Sequence, residues 1–281
     1  MAYPIVHRVG GKFPVFPNSV NAYLVELEKS CVVVDATIAL SSAYQLVELA
    51  KSRKKPIEAV LLTHGHIDHF TGLKVFEDLP RYSSKEAYEF MLTEDAEKGP
   101  SLKIYHGVDV PEPRIFPNHF VKDGDVLTFG GHDFKFTNYG PGESNADGGW
   151  EVKGESGTHV FVGDLVSREN HCFFRDGNLV AWNAILDLLD KTYDDKVKLY
   201  FGHGEAPWGK EAITWQRSYN NAFASAVALM PDKSEPVSRE MQEWLINEVK
   251  KFCPTNMTIF LLDNQLENCI PYYWKVMGIK K

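Results

Sequence analysis

The side chains with the most evident capacity for chemistry lie in Thr63-His64-Gly65-His66-Ile67-Asp68-His69, where three histidines and an aspartate fall within six positions. Imidazole and carboxylate are borderline ligands that suit zinc, iron or manganese. The His-X-His spacing lets two rings approach one ion, while Asp68 and His69 reach a second. The bland alternative is a solvated polar loop whose histidines merely sit in turns, and the density of ligand types argues against it.

The elements that must position this cluster can be read from periodicity. Ile57 to Leu62 is a short apolar run suited to a buried strand, and it leads directly into the histidines. Phe70 to Leu79 is expected as the next helix, which puts the cluster on a strand-to-helix loop, a common place for chemistry in α/β proteins. Upstream, Ala22 to Leu27 alternates and Cys31 to Val34 is continuous, so the two suit neighbouring strands. Ser41 to Lys54 is expected as a helix with Tyr44, Leu46, Val47 and Leu49 on its apolar face and a serine cap. Leu92 to Asn118 shows little periodicity and is read as an irregular insertion. Val126 to Phe129 and Phe134 to Thr137 flank Gly130-Gly131 as a hairpin. Thr158 to Val162 then ends at Gly163-Asp164, and Leu199 to Phe201 ends at Gly202-His203-Gly204, so two further strands terminate in a ligand-type residue. Helices are expected over Trp182 to Leu189, Ala212 to Met230 and Ser238 to Phe252, followed by a less regular tail from Met257.

The cluster resembles the His-X-His-X-Asp-His signature of the metallo-β-lactamase superfamily, on its lactonase- and glyoxalase-II-like side. Asn21-Ala22-Tyr23-Leu24 with Val33-Val34-Asp35 resembles the family's opening strand pair, Gly163-Asp164 its bridging aspartate and Gly202-His203-Gly204 its final ligand. The resemblance implies an α/β fold, the four-layer αββα sandwich, with a core over about residues 1–207 and a helical C-terminal extension over about 208–281, all one domain. It implies that His64 and His66 bind one divalent ion, that Asp68, His69 and His203 bind another, and that Asp164 bridges them. Zinc is the first expectation, with manganese or iron as alternatives.

One position departs from the family. Where Pro-Gly-His is usual, this chain reads Gly140-Pro141-Gly142-Glu143-Ser144. A carboxylate oxygen binds zinc at about 2.0–2.2 Å, much like an imidazole nitrogen, and alkylsulfatase relatives use glutamates, so Glu143 is expected as a ligand. Three carboxylates and a hydroxide would then balance two divalent ions, and a neutral core should polarise a carbonyl less and favour harder ions. If Glu143 does not bind, the first site is left with two histidines. His159 lies five residues before Asp164, on the opposite face of a regular strand, and is read as structural. His7, His106, His119 and His132 carry no ligand pattern. His171 is read either as packing or as a substrate contact over the metals.

By resemblance, a hydroxide held between the ions would attack an ester, lactone or amide of a small molecule, with Asp68 orienting it and passing a proton to the leaving group. The aspartate at the bridging position resembles lactonases and thioesterases more than antibiotic-hydrolysing members. Two other classes remain as alternatives: a mononuclear-iron oxidoreductase resembling persulfide dioxygenases, and a non-catalytic metal-binding protein. The formal net charge of -8 and the lack of a basic block argue against nucleic acid. No stretch resembles a signal peptide or a membrane span, so a cytoplasmic protein, monomer or homodimer, is expected. Cys31, Cys172, Cys253 and Cys269 are scattered and read as buried thiols. Phe13, Phe16, Phe173, Phe174, Trp182 and Trp208 flank the motifs and are candidates for a pocket lining, although core is the commoner fate of such residues. Trp215, Tyr219, Phe223, Trp244 and Trp274 leave the extension free to pack on the sandwich, cover the site or form a dimer face.

Overall fold

A computed structural model describes residues 3–12, 19–102 and 109–279. The expectations for Phe13, Phe16 and His106 fall outside these residues. The strands β1 (Ile5–Lys12), β2 (Ser19–Glu26), β3 (Cys31–Val34), β4 (Ile57–Leu61), β5 (Arg81–Ser84) and β6 (His119–Val121) form one sheet in that order. The second sheet runs β11 (Lys198–Phe201), β10 (Gly157–Gly163), β9 (Asp147–Gly154), β8 (His132–Gly140) and β7 (Val126–Phe129). β3, β4, β5 and β6 pair in parallel, as do β10 and β11, and the other pairs are antiparallel.

Strand alternation sorts these residues into layers. Val32, Val34, Ala59 and Leu61 face Phe136, Trp150, Phe161 and Tyr200 of the other sheet. Their neighbours Val33, Val60 and Leu62 point the other way, onto Ala43, Leu46 and Ala50 of helix α1 (Leu40–Ser52) and onto Leu73 and Phe76. On the outer face of the second sheet, Val160, Val162, Leu199 and Phe201 meet the helices α4 (Leu179–Thr192), α5 (Glu211–Leu229), α6 (Arg239–Phe252), α7 (Ile259–Asp263) and α8 (Leu266–Val276). The order is helix, sheet, sheet, helix, the expected sandwich. The extension supplies much of its last layer, so one continuous hydrophobic cluster crosses residues 207–208.

Several local expectations are corrected. The segment after the histidines is a short helix α2 (Ile67–Phe70) followed by a 3-10 turn at Thr71–Phe76, not one helix over 70–79. The reason is at Gly72, whose amide donates to Thr37 O and whose Cβ, if it had one, would lie 2.0 Å from Ala36 O. The chain is drawn too close to that loop for a full helical turn. The first part of the supposed insertion is helix α3 (Lys85–Lys98), capped by Ser84. Its buried face includes Glu94, paired with Lys98 at 2.7 Å, and this polar residue among Ala87, Phe90 and Met91 breaks the apolar period. Helix α1 starts at Leu40, with Ala39 at the N-cap and no side-chain cap, and Tyr44 is exposed rather than on the packed face. The tail from Met257 contains α7 and α8. All four cysteines are buried and free. Among the described residues no helix is long and apolar enough to cross a membrane.

Candidate metal centre

The histidine cluster sits where β4 ends, and two of its rings, His64 and His69, are oriented by one carboxylate. Asp35 accepts from the Thr63 amide and the Thr63 hydroxyl, both at 2.9 Å, and lies 3.2 Å from His69 Nδ1. Because the Thr63 hydroxyl spends its proton on Asp35, it is an acceptor for His64 Nδ1 at 3.0 Å. Both rings therefore carry hydrogen on Nδ1 and turn Nε2 inward, the arrangement that orients metal-binding imidazoles. Gly65 is needed between them, since a Cβ there would lie 2.7 Å from Ala87 O of α3.

Asp164 and His203 arrive from the ends of β10 and β11. The two ends are tied by Gly202 N donating to Gly163 O at 2.9 Å, and Asn21 of β2 holds the turn from across the sandwich. Its amide nitrogen donates to Phe201 O at 3.0 Å and Gly204 O at 2.8 Å. Asn170 donates to His203 O at 3.1 Å. Asp164 Oδ1 is 3.5 Å from His69 Nε2, while its Oδ2 is 3.2 Å from His203 Nε2 and 3.9 Å from His64 Nε2. Asp68 Oδ2 lies 3.3 Å from His203 Nε2.

Glu143 comes from the loop between β8 and β9. Ser144 donates to Asp147 through its amide at 3.0 Å and its hydroxyl at 2.7 Å, which closes that loop and aims Glu143 inward. Gly148 N donates to Thr63 O at 2.8 Å, fixing the loop against the histidine strand. Glu143 Oε2 lies 3.3 Å from His66 Nδ1. Burial pushes the Glu143 carboxyl up to about 8, against the pull of His66. Burial likewise raises Asp147 to about 6, against its hydrogen bonds from Ser144. Burial opposes charge on His203, but Asp164 outweighs it and raises the ring to about 10. His64 is the exception, held well below the usual histidine range by burial and by the neighbouring His69.

The ligand atoms fall into two groups, each with all atoms within 4.8 Å: His64, His66, Glu143 and Asp164, and Asp68, His69 and His203. His64 Nε2, His69 Nε2, both Glu143 oxygens and Asp164 Oδ1 are buried without a hydrogen-bond partner. Leaving such atoms unsatisfied costs roughly 1–3 kcal/mol each, and cations at the two groups would satisfy them together. The donor set therefore fits divalent cations. Residues 15–203 match the sequence family described as the Metallo-beta-lactamase superfamily. The chain belongs to that superfamily.

The chain is similar to a curated hydrolase in sequence and to solved structures in fold. A hydroxyacylglutathione hydrolase of Yersinia pestis (strain Pestoides F) is 24% identical over 234 residues, covering 78% of this chain and 80% of that protein. A β-lactamase domain protein from Burkholderia ambifaria superposes with a TM-score of 0.66 at 16% identity, over 98% of this chain and 89% of that one. A metallo-β-lactamase from Pontibacter korlensis gives 0.61 at 16% identity, over 79% and 98%. Like other members, this one belongs to a superfamily that includes hydrolases, and it carries candidate metal-binding clusters.

Around the candidate metal centre lies a cavity of about 750 Å³, whose lining includes His66, Asp68, Asp164 and His203 together with Phe173, Phe260 and Leu261. Helix α7 thus forms a wall of the cavity, so the extension both packs on the sandwich and borders the site. Of the aromatic candidates, Phe173 lines the cavity, Phe174 and Trp182 are core, and Trp208 lies under the Arg168 guanidinium. His171 borders a small cleft together with Glu143, Asp164 and His203, and its ring is buried, with Nδ1 2.8 Å from the Tyr219 hydroxyl and Nε2 3.0 Å from Thr255 O. His159 is structural, on the inter-sheet face with Nδ1 2.8 Å from the Tyr200 hydroxyl. His7 pairs with Glu26 at 2.7 Å, away from the candidate ligands. Sequence reasoning missed Asp35 as an orienting residue, although it was visible at the end of the β3 run. It also missed Asp176, whose Oδ2 is 3.4 Å from His66 Nε2 and which no motif marks.

Proposed function

We propose that this superfamily member hydrolyses a small-molecule thioester, ester or lactone using two divalent ions, zinc foremost. The first would be held by His64, His66 and Glu143, the second by Asp68, His69 and His203, with Asp164 between them. The observation that carries this reading is Asp164, whose two oxygens face histidines of both groups. When bound, such a pair supplies a nucleophile from water at neutral pH and polarises a carbonyl. With Glu143 present the core is neutral, which favours the more electrophilic thioester and lactone carbonyls over amides. The hydroxyacylglutathione hydrolase relative supports the same choice. Asp68 borders the cavity with its side chain 15% exposed, placed to orient water and to hand a proton to the leaving group. Phe173 and Leu261 offer an apolar wall for the acyl part.

Metal quantitation with a panel of thioesters, esters and lactones tests the proposal. Wild type should hold two ions and turn over at least one class, Glu143→Ala should hold one ion, and Asp68→Asn should lose about 10²–10⁴-fold in kcat. A single bound iron with oxygen uptake, or two ions with no turnover on any class, would overturn it.

A further inference from the structure

His66 stands between two carboxylates. Nδ1 faces Glu143 at 3.3 Å and Nε2 faces Asp176 at 3.4 Å. Glu143 belongs to the group of ligand atoms that His64 and Asp164 complete, whereas Asp176 lies outside that group, on the far side of the ring. His66 Nε2 and Asp176 Oδ2 are both buried, and neither has a hydrogen-bond partner that meets strict geometry, so their contact is the one that relieves both. An imidazole that binds a cation through one nitrogen carries its proton on the other, and a carboxylate facing that proton fixes tautomer and ring plane.

We infer that Asp176 is a positioning residue for the first ion: facing His66 Nε2–H, it keeps the His66 Nδ1 lone pair turned toward the site beside Glu143. The inference rests on the two-ion reading above. What holds Asp176 in place is largely the C-terminal extension. Gln265 accepts from Phe174 N and donates to Cys172 O at 3.2 Å, and the Tyr273 hydroxyl lies 2.8 Å from Phe174 O and 3.2 Å from Gly177 O. On the other side, Asn178 N donates to Gly142 O at 2.8 Å, so the loop carrying Asp176 is bonded to the loop carrying Glu143. The Phe173 ring stands edge-on to His66 with centroids 5.6 Å apart, which limits rotation of the imidazole.

The test is zinc affinity by chelator competition on wild type, Asp176→Ala and Asp176→Asn, with ¹⁵N NMR of the imidazoles in the zinc-loaded protein. Asp176→Ala should weaken the first ion about 10- to 100-fold and leave the second unchanged. Asp176→Asn, whose amide oxygen still accepts, should retain most of the affinity. Zinc-loaded wild type should show His66 protonated on Nε2. Two ions bound by Asp176→Ala with wild-type affinity, or a His66 protonated on Nδ1, would overturn the inference while leaving the two-ion reading intact. A wild type that takes only the second ion would overturn both. The NMR result on wild type decides the matter if Asp176→Ala does not fold.

Discussion

At Gly202 a single methyl group decides whether the centre can form. A Cβ there would lie 1.8 Å from Asp164 Oδ1 and 2.6 Å from His69 Cε1, so the space that a side chain would use is occupied by ligands from both groups. Gly202→Ala is expected to lower the bound metal below that of wild type while the far side of the sandwich remains folded. Metal quantitation beside circular dichroism checks this, and wild-type metal content would refute it. A second residue sets a pH dependence away from the metals. Burial, aided by Lys198, lowers His159 to about 4 from an ordinary 6.5. The ring is neutral when folded but takes a proton in the unfolded chain within that window, so the unfolded state binds more protons and stability falls as pH drops from 6.5 toward 4. Below the window both states are protonated and the loss stops. Between about pH 7.5 and about pH 5 this contributes up to roughly 2 kcal/mol, the full value being reduced by solvent screening of the ring. His159→Gln should shrink the difference in urea-unfolding free energy between those two pH values by that amount, and an unchanged difference would remove His159 as its source.

At the scale of elements, the loop from Cys172 to Asn178 links the extension to His66, the route by which its packing would reach the proposed first ion site. The Tyr273 hydroxyl on α8 is close to two of its carbonyls. Tyr273→Phe should lower stability by about 1–3 kcal/mol, the range for leaving buried groups unpaired. It should also weaken the first ion more than the second, as a titration of the metal-free protein would show; equal weakening of both would mean that the loop does not act on His66. This coupling was not legible in the sequence, because Asp176 and Tyr273 meet the site through folding and lie in segments without a ligand pattern. The strands β2, β3, β4, β7, β8, β10 and β11 were legible, since burial on both faces of β3, β4 and β10 leaves apolar runs, whereas β1, β5, β6 and β9, which carry glycine or polar residues among their apolar ones, were not. So were His64, His66, Asp68, His69, Asp164 and His203 as a convergent set, because each follows a strand end. The helix α3 was hidden by Glu94 on its packed face, and the turn at Thr71–Phe76 by a close approach at Gly72 that no local signal announces.

For the whole molecule, the centre lies where the two sheets are fastened at one edge. β4 of the first sheet brings His64, His66, Asp68 and His69, and β10 and β11 of the second bring Asp164 and His203. Protein bonds already cross this edge: Trp150 Nε1 donates to Leu62 O at 3.0 Å and Asn21 N to Gly202 O at 2.7 Å. Cations bound there would join both sheets and have no equivalent site in the unfolded chain. An ion present at a thousand times its Kd then adds about 4 kcal/mol to folding. At roughly 2–4 °C per kcal/mol for a domain of this order of size, removing one such ion lowers Tm by about 10 °C, and removing two by about twice that. Chelation of the wild type should therefore produce the larger drop, and chelation of Glu143→Ala about half of it, because that variant has only the second ion to lose. Differential scanning fluorimetry with and without chelator measures both. A wild type whose Tm does not respond to chelation would mean that the buried His and carboxylate groups balance one another without a cation, as the raised His203 and its partner Asp164 allow.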